Sequence, residues 1–318
     1  MKKEEVISLG KQLNFDVIKA YPLKLEASGR EYWRISNNKN HSLVLCYLDP
    51  YKDKHSDFIN ITSCLNQNNI SCPNIIHHNE KLGITLQEDL GDNDLLSFIN
   101  QENKDHLLKS SLDLLMQIQN SKIESIDRFK ENELKEQMIS FKKIFCEKFL
   151  KVESNNFIDD LISDTIDNLN SHPWVNCHFD FERRNLILNK SEHLTVIDYQ
   201  DMKIGPIGID LAGILIDHYY EVDFKDIDNL LTYYSENTTP AIKKDKAFEY
   251  LTWGSIQRNI RILGTLSNLY IKHNRIFRLK DLPMILSNLI KMIPEQYECK
   301  TILEEKITPL LNKRIKQL

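Results

Sequence analysis

The sequence predicts an α+β protein with a small antiparallel-sheet lobe at its N-terminus and a large helical lobe after it. The length of 318 residues favours two domains or two lobes. Short β-type runs separated by turn residues fill the first part of the chain, which is typical of an antiparallel sheet. After Asp92, apolar residues recur at helical spacing. We therefore predict an N-terminal lobe over residues 1–91 and a C-terminal lobe over residues 92–318.

The predicted N-terminal lobe contains several short strands and one helix. The helix is predicted over Ser56–Gln67, because Phe58, Ile61 and Leu65 recur at helical spacing. A connector to the second lobe is predicted near Leu86–Gly91. The strands are predicted at Leu23–Leu25, Tyr32–Ile35, Leu43–Tyr47 and Ile84–Gln87.

The predicted C-terminal lobe is made of amphipathic helices interrupted by one short hairpin. The hairpin strands are predicted at Leu186–Leu188 and Leu194–Tyr199, with a turn over Asn189–His193 between them. The helices are predicted at Leu95–Asn100, His106–Gln119, Glu133–Phe149, Phe157–Leu169, Leu211–Tyr219, Ala247–Lys272 and Asp281–Ile293.

Composition excludes several classes of protein. With 41 basic and 46 acidic residues the net charge is -5, which argues against a general nucleic-acid binder. The six cysteines are scattered without a CxxC pair, so we expect free thiols and no zinc site. No window approaches the ~20 apolar residues of a membrane span, and the N-terminus has no apolar stretch typical of a signal peptide. We expect a cytoplasmic protein without membrane association, and no obligate protein partner is inferred.

The segment His178–Ala212 carries the chemistry. Asp180 and Asn185 lie in a polar stretch just before a β run, and Asp198 lies in the next run. A hairpin can return its end to the preceding loop, which would place two carboxylates and an amide oxygen near one point. Such a ligand set suits Mg²⁺. A single aspartate in a loop is more often a turn or cap residue, but the ordered set HxDxxxxN, hairpin, IDYQD and GPIGIDLA is specific.

These motifs resemble those of the aminoglycoside phosphotransferase and choline kinase-like superfamily, and most closely the bacterial N-acetylmuramate/N-acetylglucosamine anomeric kinases. The quoted segments are HFDFERRNLIL, TVIDYQDMKIGPIGIDLAGILID and WGSIQRNIRILGTLSNLYIK, joined by LEASGREYWRI, SLVLCYLDP and ITLQEDLGDNDLL in the N-terminal part. The resemblance covers nearly the whole chain in order, and the kinase motifs are its most diagnostic part. It implies a two-lobed protein-kinase-like fold and ATP- and Mg²⁺-dependent phosphorylation of an amino sugar at its anomeric hydroxyl, giving the 1-phosphate, as in cell-wall recycling.

The resemblance also implies roles for individual residues. Asp180 would be the catalytic aspartate, with Asn185 and Asp198 as Mg²⁺ ligands. His178 and Asp210 would brace the catalytic loop. The template chemistry is phosphoryl transfer, which depends mostly on positioning and charge neutralisation.

One departure from the general kinase pattern concerns the small lobe. The strand lysine of kinases contacts the nucleotide phosphates and pairs with a helix glutamate. Cys46 stands at the matching position, and the Ser56–Gln67 helix has no glutamate. Arg30 is a candidate for the missing positive charge, and an exposed turn arginine is an equally good interpretation of it. The nucleotide is expected against the connector, at Gln87, Glu88 and Leu90.

The candidates for sugar binding flank the catalytic motifs or lie on a long helix. Arg258 would suit the lactyl carboxylate of N-acetylmuramate if it faces the cleft. An arginine beside an apolar stripe is more often a surface or ion-paired residue. The full set is Arg184, Gln200, Asp201, Gln257 and Arg258.

Two other functions remain open from the sequence. One is a kinase for another small alcohol, such as choline, homoserine or an aminoglycoside. The other is a catalytically silent nucleotide-binding protein, which Cys46 suggests. Retention of Asp180, Asn185 and Asp198 together speaks against the silent protein.

Overall fold

The structure is a computed structural model that describes residues 1–23, 30–51, 56–124, 126–154, 156–189, 193–220 and 223–318. The chain forms two compact units. The first contains Met1–Phe98, Ser121–Ile126 and Arg184–Asp201; the second contains Ile99–Asn120, Asp127–Arg183 and Met202–Leu318. Compactness alone does not mark a nucleotide-binding lobe, so the boundary between residues 91 and 92 stays a prediction.

The first unit is built on a five-stranded antiparallel sheet with the strand order β1-β2-β3-β5-β4. The central strand β3 is buried from Leu43 to Cys46, so its apolar run does not alternate with polar residues. Helix α1, at Lys3–Gln12, contributes Val6 to the core that covers the sheet. The strands are β1 Lys19–Pro22, β2 Glu31–Ser36, β3 Ser42–Tyr47, β4 Ile75–Asn79 and β5 Ile84–Glu88.

The predicted strands that became β2, β3 and β5 are confirmed, and one prediction in this region is wrong. A strand that was not predicted lies at Lys19–Pro22, and the last two residues of the predicted strand Leu23–Leu25 lie outside the described part. The predicted connector begins too early, because Leu86–Glu88 pairs with β3 as part of β5. Helix α1 and strand β4 were not predicted.

Two helices and a hairpin complete the first unit. Helix α2 spans Ser56–Gln67, as predicted, and α3 is a single turn at Leu95–Phe98. The hairpin strands are β7 Leu186–Leu188 and β8 Leu194–Val196. The predicted second strand is three residues too long, because Asp198 has a left-handed φ of 64° that ends the extended run.

The second unit is a helical assembly around the long helix α9. Two strands, β6 at Trp174–Cys177 and β9 at Lys203–Pro206, pair antiparallel within it. The helices are α4 Lys104–Asn120, α5 Glu131–Ser140 with a π-helical continuation at Phe141–Leu150, α6 Asp159–Ser171, α7 Gly208–Leu215, α8 Phe224–Asn237, α9 Lys244–His273, α10 Leu282–Met292, α11 Cys299–Ile302 and α12 Thr308–Lys316.

Helices α7 and α9 approach each other closely through glycine. A Cβ atom on Gly254 would lie 2.0 Å from the carbonyl oxygen of Gly208, so the two backbones touch directly.

Helix α7 ends at Leu215 rather than at the predicted Tyr219, and the Asp217 carboxylate then accepts from the Tyr219 amide at 3.1 Å. Helices α8, α11 and α12 were not predicted.

Two findings bear on the composition arguments. All six cysteines are free thiols, as predicted. Within the described ranges, no helix is long and apolar enough to cross a membrane.

Candidate active site

The loop that follows β6 is held by a buried aspartate on α7. Asp210 accepts hydrogen bonds from the backbone N–H of His178 at 2.5 Å and of Phe179 at 2.8 Å. Complete burial raises the pKa of Asp210, and the charge of His178 together with these amide donors opposes that rise. The loop backbone is thus fixed directly before Asp180.

Asp180 presents its carboxylate at the end of this braced segment. Its side chain is 54% exposed, and its own amide donates to His178 Nδ1 at 3.3 Å. Phe179 has a φ of 68°, a left-handed conformation that bulky residues rarely adopt. Such backbone strain tends to persist at functional sites. Arg261, which was not among the predicted site residues, donates from Nη2 to Asp180 Oδ1 at 3.1 Å.

Asn185 and Asp198 lie at the two ends of the hairpin in the first unit. The Ile197 N–H donates to the Asn185 carbonyl at 3.0 Å, so the hairpin end returns to the start of β7 as predicted. Gln200 is buried, and its Nε2 donates to Asp198 Oδ1 at 2.8 Å and to Asp201 Oδ2 at 3.2 Å. Gln200 therefore restrains both carboxylates through these two hydrogen bonds. Asp201 itself is exposed.

Tyr199 anchors this segment between Asp198 and Gln200. Its ring stacks on Phe58 of α2 with centroids 5.3 Å apart, and its hydroxyl lies 2.8 Å from Thr62 Oγ1. Burial raises the pKa of the Tyr199 hydroxyl, so the group remains a neutral hydrogen-bonding phenol. The segment is consequently fixed by contacts that belong to α2 as well as to the hairpin.

Cys46 and Tyr32, both uncharged, pair across the sheet, and Arg30 precedes Tyr32 by two residues. Cys46 lies opposite Tyr32 in the β2–β3 register. Burial raises the pKa of the Cys46 thiol to about 12; the hydrogen bond with Tyr32 and the charge of Arg30 oppose that rise, and the charge of Asp198 contributes to it. Arg30 is only 7% exposed, and its Nε forms no hydrogen bond with any described residue.

The predicted nucleotide residues at the end of β5 are mostly engaged with the protein. Gln87 is buried within the strand, Glu88 accepts from Asn74 Nδ2 at 2.7 Å, and Leu90 is half-buried. Nothing in these contacts distinguishes an adenine site from an ordinary strand end, so their role stays a prediction.

The two predicted sugar residues on α9 lie in the protein interior. Gln257 Nε2 donates to Gln137 Oε1 at 2.9 Å, and Arg258 Nη2 donates to Glu182 Oε2 at 2.8 Å. Arg258 is 2% exposed and ion-paired, which matches the second interpretation offered for it, an ion-paired arginine beside an apolar stripe. Arg184 is half-buried and keeps an accessible fraction.

A cavity of about 670 Å³ lies in the second unit beside the catalytic loop. Arg183 and Asp217 line it and pair at 2.6 Å, and the Arg183 guanidinium lies 4.7 Å from the centroid of the Tyr220 ring. Its other lining groups include Phe224 and an ion pair of Lys104 with Asp226. The cavity thus combines exposed aromatic rings with charged hydrogen-bonding groups.

The residues that could hold a metal are few. Over the described ranges, no group of three or more His, Cys, Asp or Glu residues has an arrangement suited to a metal ion. Mg²⁺ is commonly held by one or two protein oxygens together with water and substrate phosphates. The donor set of Asn185 and Asp198, one amide and one carboxylate, fits that requirement, and Ile197, next to Asp198, is hydrogen-bonded through its backbone to Asn185.

An antiparallel sheet unit, a helical unit and a braced, exposed aspartate define a phosphotransferase of the protein-kinase-like fold. The chain belongs to the phosphotransferase enzyme family, whose model matches residues 20–244. It is 24% identical to the N-acetylmuramate/N-acetylglucosamine kinase of Neisseria meningitidis serogroup B over 286 residues, covering 86% of this chain and 84% of that protein.

Solved structures confirm the predicted α+β, kinase-like fold. The choline kinase of Streptococcus pneumoniae matches with a TM-score of 0.65 at 13% identity, covering 91% of this chain and 99% of its own. A spectinomycin phosphotransferase, crystallised with ADP and spectinomycin, matches with a TM-score of 0.62 at 14% identity, covering 97% and 99%. Membership of the phosphotransferase family makes the protein a kinase, and nucleotide use follows from that class.

Proposed function

We propose that this kinase transfers the γ-phosphoryl group of ATP to the anomeric hydroxyl of N-acetylmuramate or N-acetylglucosamine, as in cell-wall recycling. The observation that carries the proposal is the ordered motif set of His178–Ala212, joined to similarity with an amino sugar kinase along most of both chains. In the reaction, a bond forms between the anomeric oxygen and the γ-phosphorus. The bond to the β–γ bridging oxygen breaks, and ADP leaves.

Asp180 is proposed to orient the acceptor hydroxyl and take its proton. The exposed carboxylate at the end of a fixed backbone segment supports this role. The anomeric hydroxyl is more acidic than an ordinary sugar alcohol, because the ring oxygen withdraws charge from the same carbon. The loose transition state of phosphoryl transfer also requires only weak nucleophilicity of the acceptor oxygen. A carboxylate base is therefore adequate.

Asn185 and Asp198 are proposed to hold Mg²⁺. When bound, the ion supplies neutralisation of the phosphate charge, which is a large part of catalysis in this reaction class. Gln200 would keep the Asp198 carboxylate oriented through its 2.8 Å hydrogen bond. Calorimetry on Asp198→Ala should show weakened Mg-ATP binding, with the exposed Asp16→Ala as a matched loss of charge. Unchanged Mg-ATP affinity in folded Asp198→Ala would remove this role.

Arg30 is proposed to supply the positive charge that kinases usually take from the strand lysine. Its burial, its place two residues before Tyr32, which pairs with Cys46, and its Nε without a hydrogen bond among the described residues support a role toward a phosphate. Arg30→Gln should weaken ATP binding, measured by calorimetry, while the exposed Lys19→Gln should not. Equal affinities for the two variants would return Arg30 to the role of a structural arginine.

The acceptor sugar is proposed to occupy the cavity lined by Arg183, Asp217 and Tyr220. Sugars bind through aromatic faces and charged hydrogen-bonding groups, and both are present there. Arg184 and Asp201 remain proposed sugar contacts. Gln257 and Arg258 are not proposed, because their side chains are buried and paired in the interior.

A product-resolved assay tests the function. Purified protein, ATP and MgCl₂ are incubated with N-acetylmuramate, N-acetylglucosamine, choline, homoserine and an aminoglycoside. The expected product is an acid-labile, non-reducing sugar 1-phosphate whose anomeric proton couples to phosphorus by NMR. The matching methyl glycosides, with the anomeric oxygen blocked, should not react. Phosphorylation of a methyl glycoside would refute anomeric transfer, and turnover of choline alone would refute the sugar.

A further inference from the structure

Two arginines one turn apart on α9 contact the catalytic loop. Arg258 pairs with Glu182 at 2.8 Å. Arg261 donates from Nη2 to two acceptors, the Phe179 carbonyl and Asp180 Oδ1, both at 3.1 Å. Residues three apart share a helix face, so α9 presents both guanidinium groups to the same loop.

The two arginines differ in what they reach. Arg258 is 2% exposed and contacts a buried carboxylate, whereas Arg261 is 17% exposed and reaches the 54% exposed carboxylate of Asp180. A guanidinium is always charged and only donates, so Arg261 does not compete for the proton that Asp180 is proposed to take. Its contact restrains Oδ1 and thereby the rotation of the carboxylate.

Arg261 also restrains Phe179, the residue with the left-handed φ directly before Asp180. The Phe179 N–H donates to Asp210, and the Phe179 carbonyl accepts from Arg261. The peptide groups on both sides of a left-handed φ of 68° are thus held by charged side chains. Loss of Arg261 would release the side that leads directly into Asp180.

Helix α9 is held by close packing contacts on both sides of Arg261. A Cβ atom on Gly254 would lie 2.0 Å from Gly208 O, and one on Gly264 would lie 2.1 Å from Ser140 Oγ. Arg261 lies between these two close contacts of α9 with α7 and α5. Catalytic geometry is most accurate when supporting residues project from such rigid elements.

We propose that Arg261 is a positioning residue that holds the Asp180 carboxylate toward the acceptor hydroxyl; this inference rests on the proposed role of Asp180. A misplacement of about 1 Å can cost about 10²-fold in rate. Arg261→Gln should therefore lower kcat by about that factor. The KM values for ATP and sugar should stay nearly constant, because the lost restraint matters mainly in the transition state.

The decisive measurement is a cycle of Arg261→Gln, Asp180→Asn and the double variant, with Lys272→Gln as a loss of charge from the exposed end of α9. If Arg261 acts through Asp180, the double variant should be no slower than Asp180→Asn alone. Arg261→Lys should retain more activity than Arg261→Gln. Guanidinium at low, non-denaturing concentration should restore part of kcat to Arg261→Ala.

Independent, multiplicative effects of the two substitutions would overturn the proposal. So would a loss confined to a higher KM for N-acetylmuramate with N-acetylglucosamine unaffected, since Arg261 would then bind the lactyl carboxylate. If the wild-type protein phosphorylates neither sugar, the proposed function fails, and the same cycle is measured through ATP hydrolysis. In that assay, multiplicative effects again overturn the positioning role and non-additive effects support it.

Discussion

Substitution of Arg258 by methionine should destabilise the protein strongly without a direct effect on substrate binding. Arg258 and Glu182 pair at 2.8 Å, and their side chains are only 2% and 6% exposed. Removing one partner of a buried, hydrogen-bonded ion pair typically costs about 3–5 kcal/mol. Glu182 also accepts a hydrogen bond from the Tyr219 hydroxyl at 3.3 Å, a neutral and long contact that is weaker than a bond to a guanidinium.

Thermal and chemical unfolding measure this cost. For a unit of about 150–250 residues each kcal/mol shifts Tm by roughly 2–4 °C, so Arg258→Met should lower Tm by roughly 6–20 °C. Lys272→Met, which removes an exposed charge from the same helix, should leave Tm nearly unchanged. The double variant Arg258→Met/Glu182→Leu should recover part of the loss, since both members of the buried ion pair are then apolar.

The contrary result is equally clear. If Arg258→Met unfolds at the wild-type midpoint and instead raises the KM for N-acetylmuramate, Arg258 contacts the sugar. The interior pairing with Glu182 would then not be the arrangement that matters in solution.

Three further expectations concern single side chains. Asp180→Asn should lower turnover about 10²–10⁴-fold with ATP affinity intact, and a kinase assay that retains more than half of wild-type activity contradicts the assignment. Cys46→Ala should leave kcat nearly unchanged, because a thiol with its pKa raised to about 12 stays protonated; complete inactivation of a stable variant would make the thiol functional. Burial lowers the pKa of His172 to about 4. Below about pH 6.5 the unfolded state binds a proton at His172 that the folded state does not bind. The stability of the wild type should therefore fall from pH 6.5 to 4, by at most about 1.4 kcal/mol per pH unit. In urea titrations His172→Gln should flatten that slope, and an unchanged slope would refute the role of His172.

Local periodicity accounts for the elements that were predicted. Helix α2 was placed correctly, because Phe58, Ile61 and Leu65 mark one buried face. Helix α8 carries the same signal in Ile227, Leu230 and Tyr234, so it could have been predicted.

Contacts between distant residues account for what was missed. The early end of β8 depends on the left-handed Asp198 and on the hydrogen bond from Ile197 to Asn185, neither of which composition encodes. The motif placed Asp180, but Arg261 is far from it along the chain. The burial of Arg258 likewise depends on a partner that only the folded chain supplies.

The contact of Gly254 with Gly208 has a genetic consequence. Any side chain at position 254 would push α9 off the start of α7, two residues before the Asp210 carboxylate that holds the catalytic loop. A saturation library screened for kinase activity should therefore lose every substitution at 254, alanine included, while exposed Lys272 on the same helix accepts most residues. Alleles that inactivate the enzyme would then map to a glycine that carries no chemistry of its own.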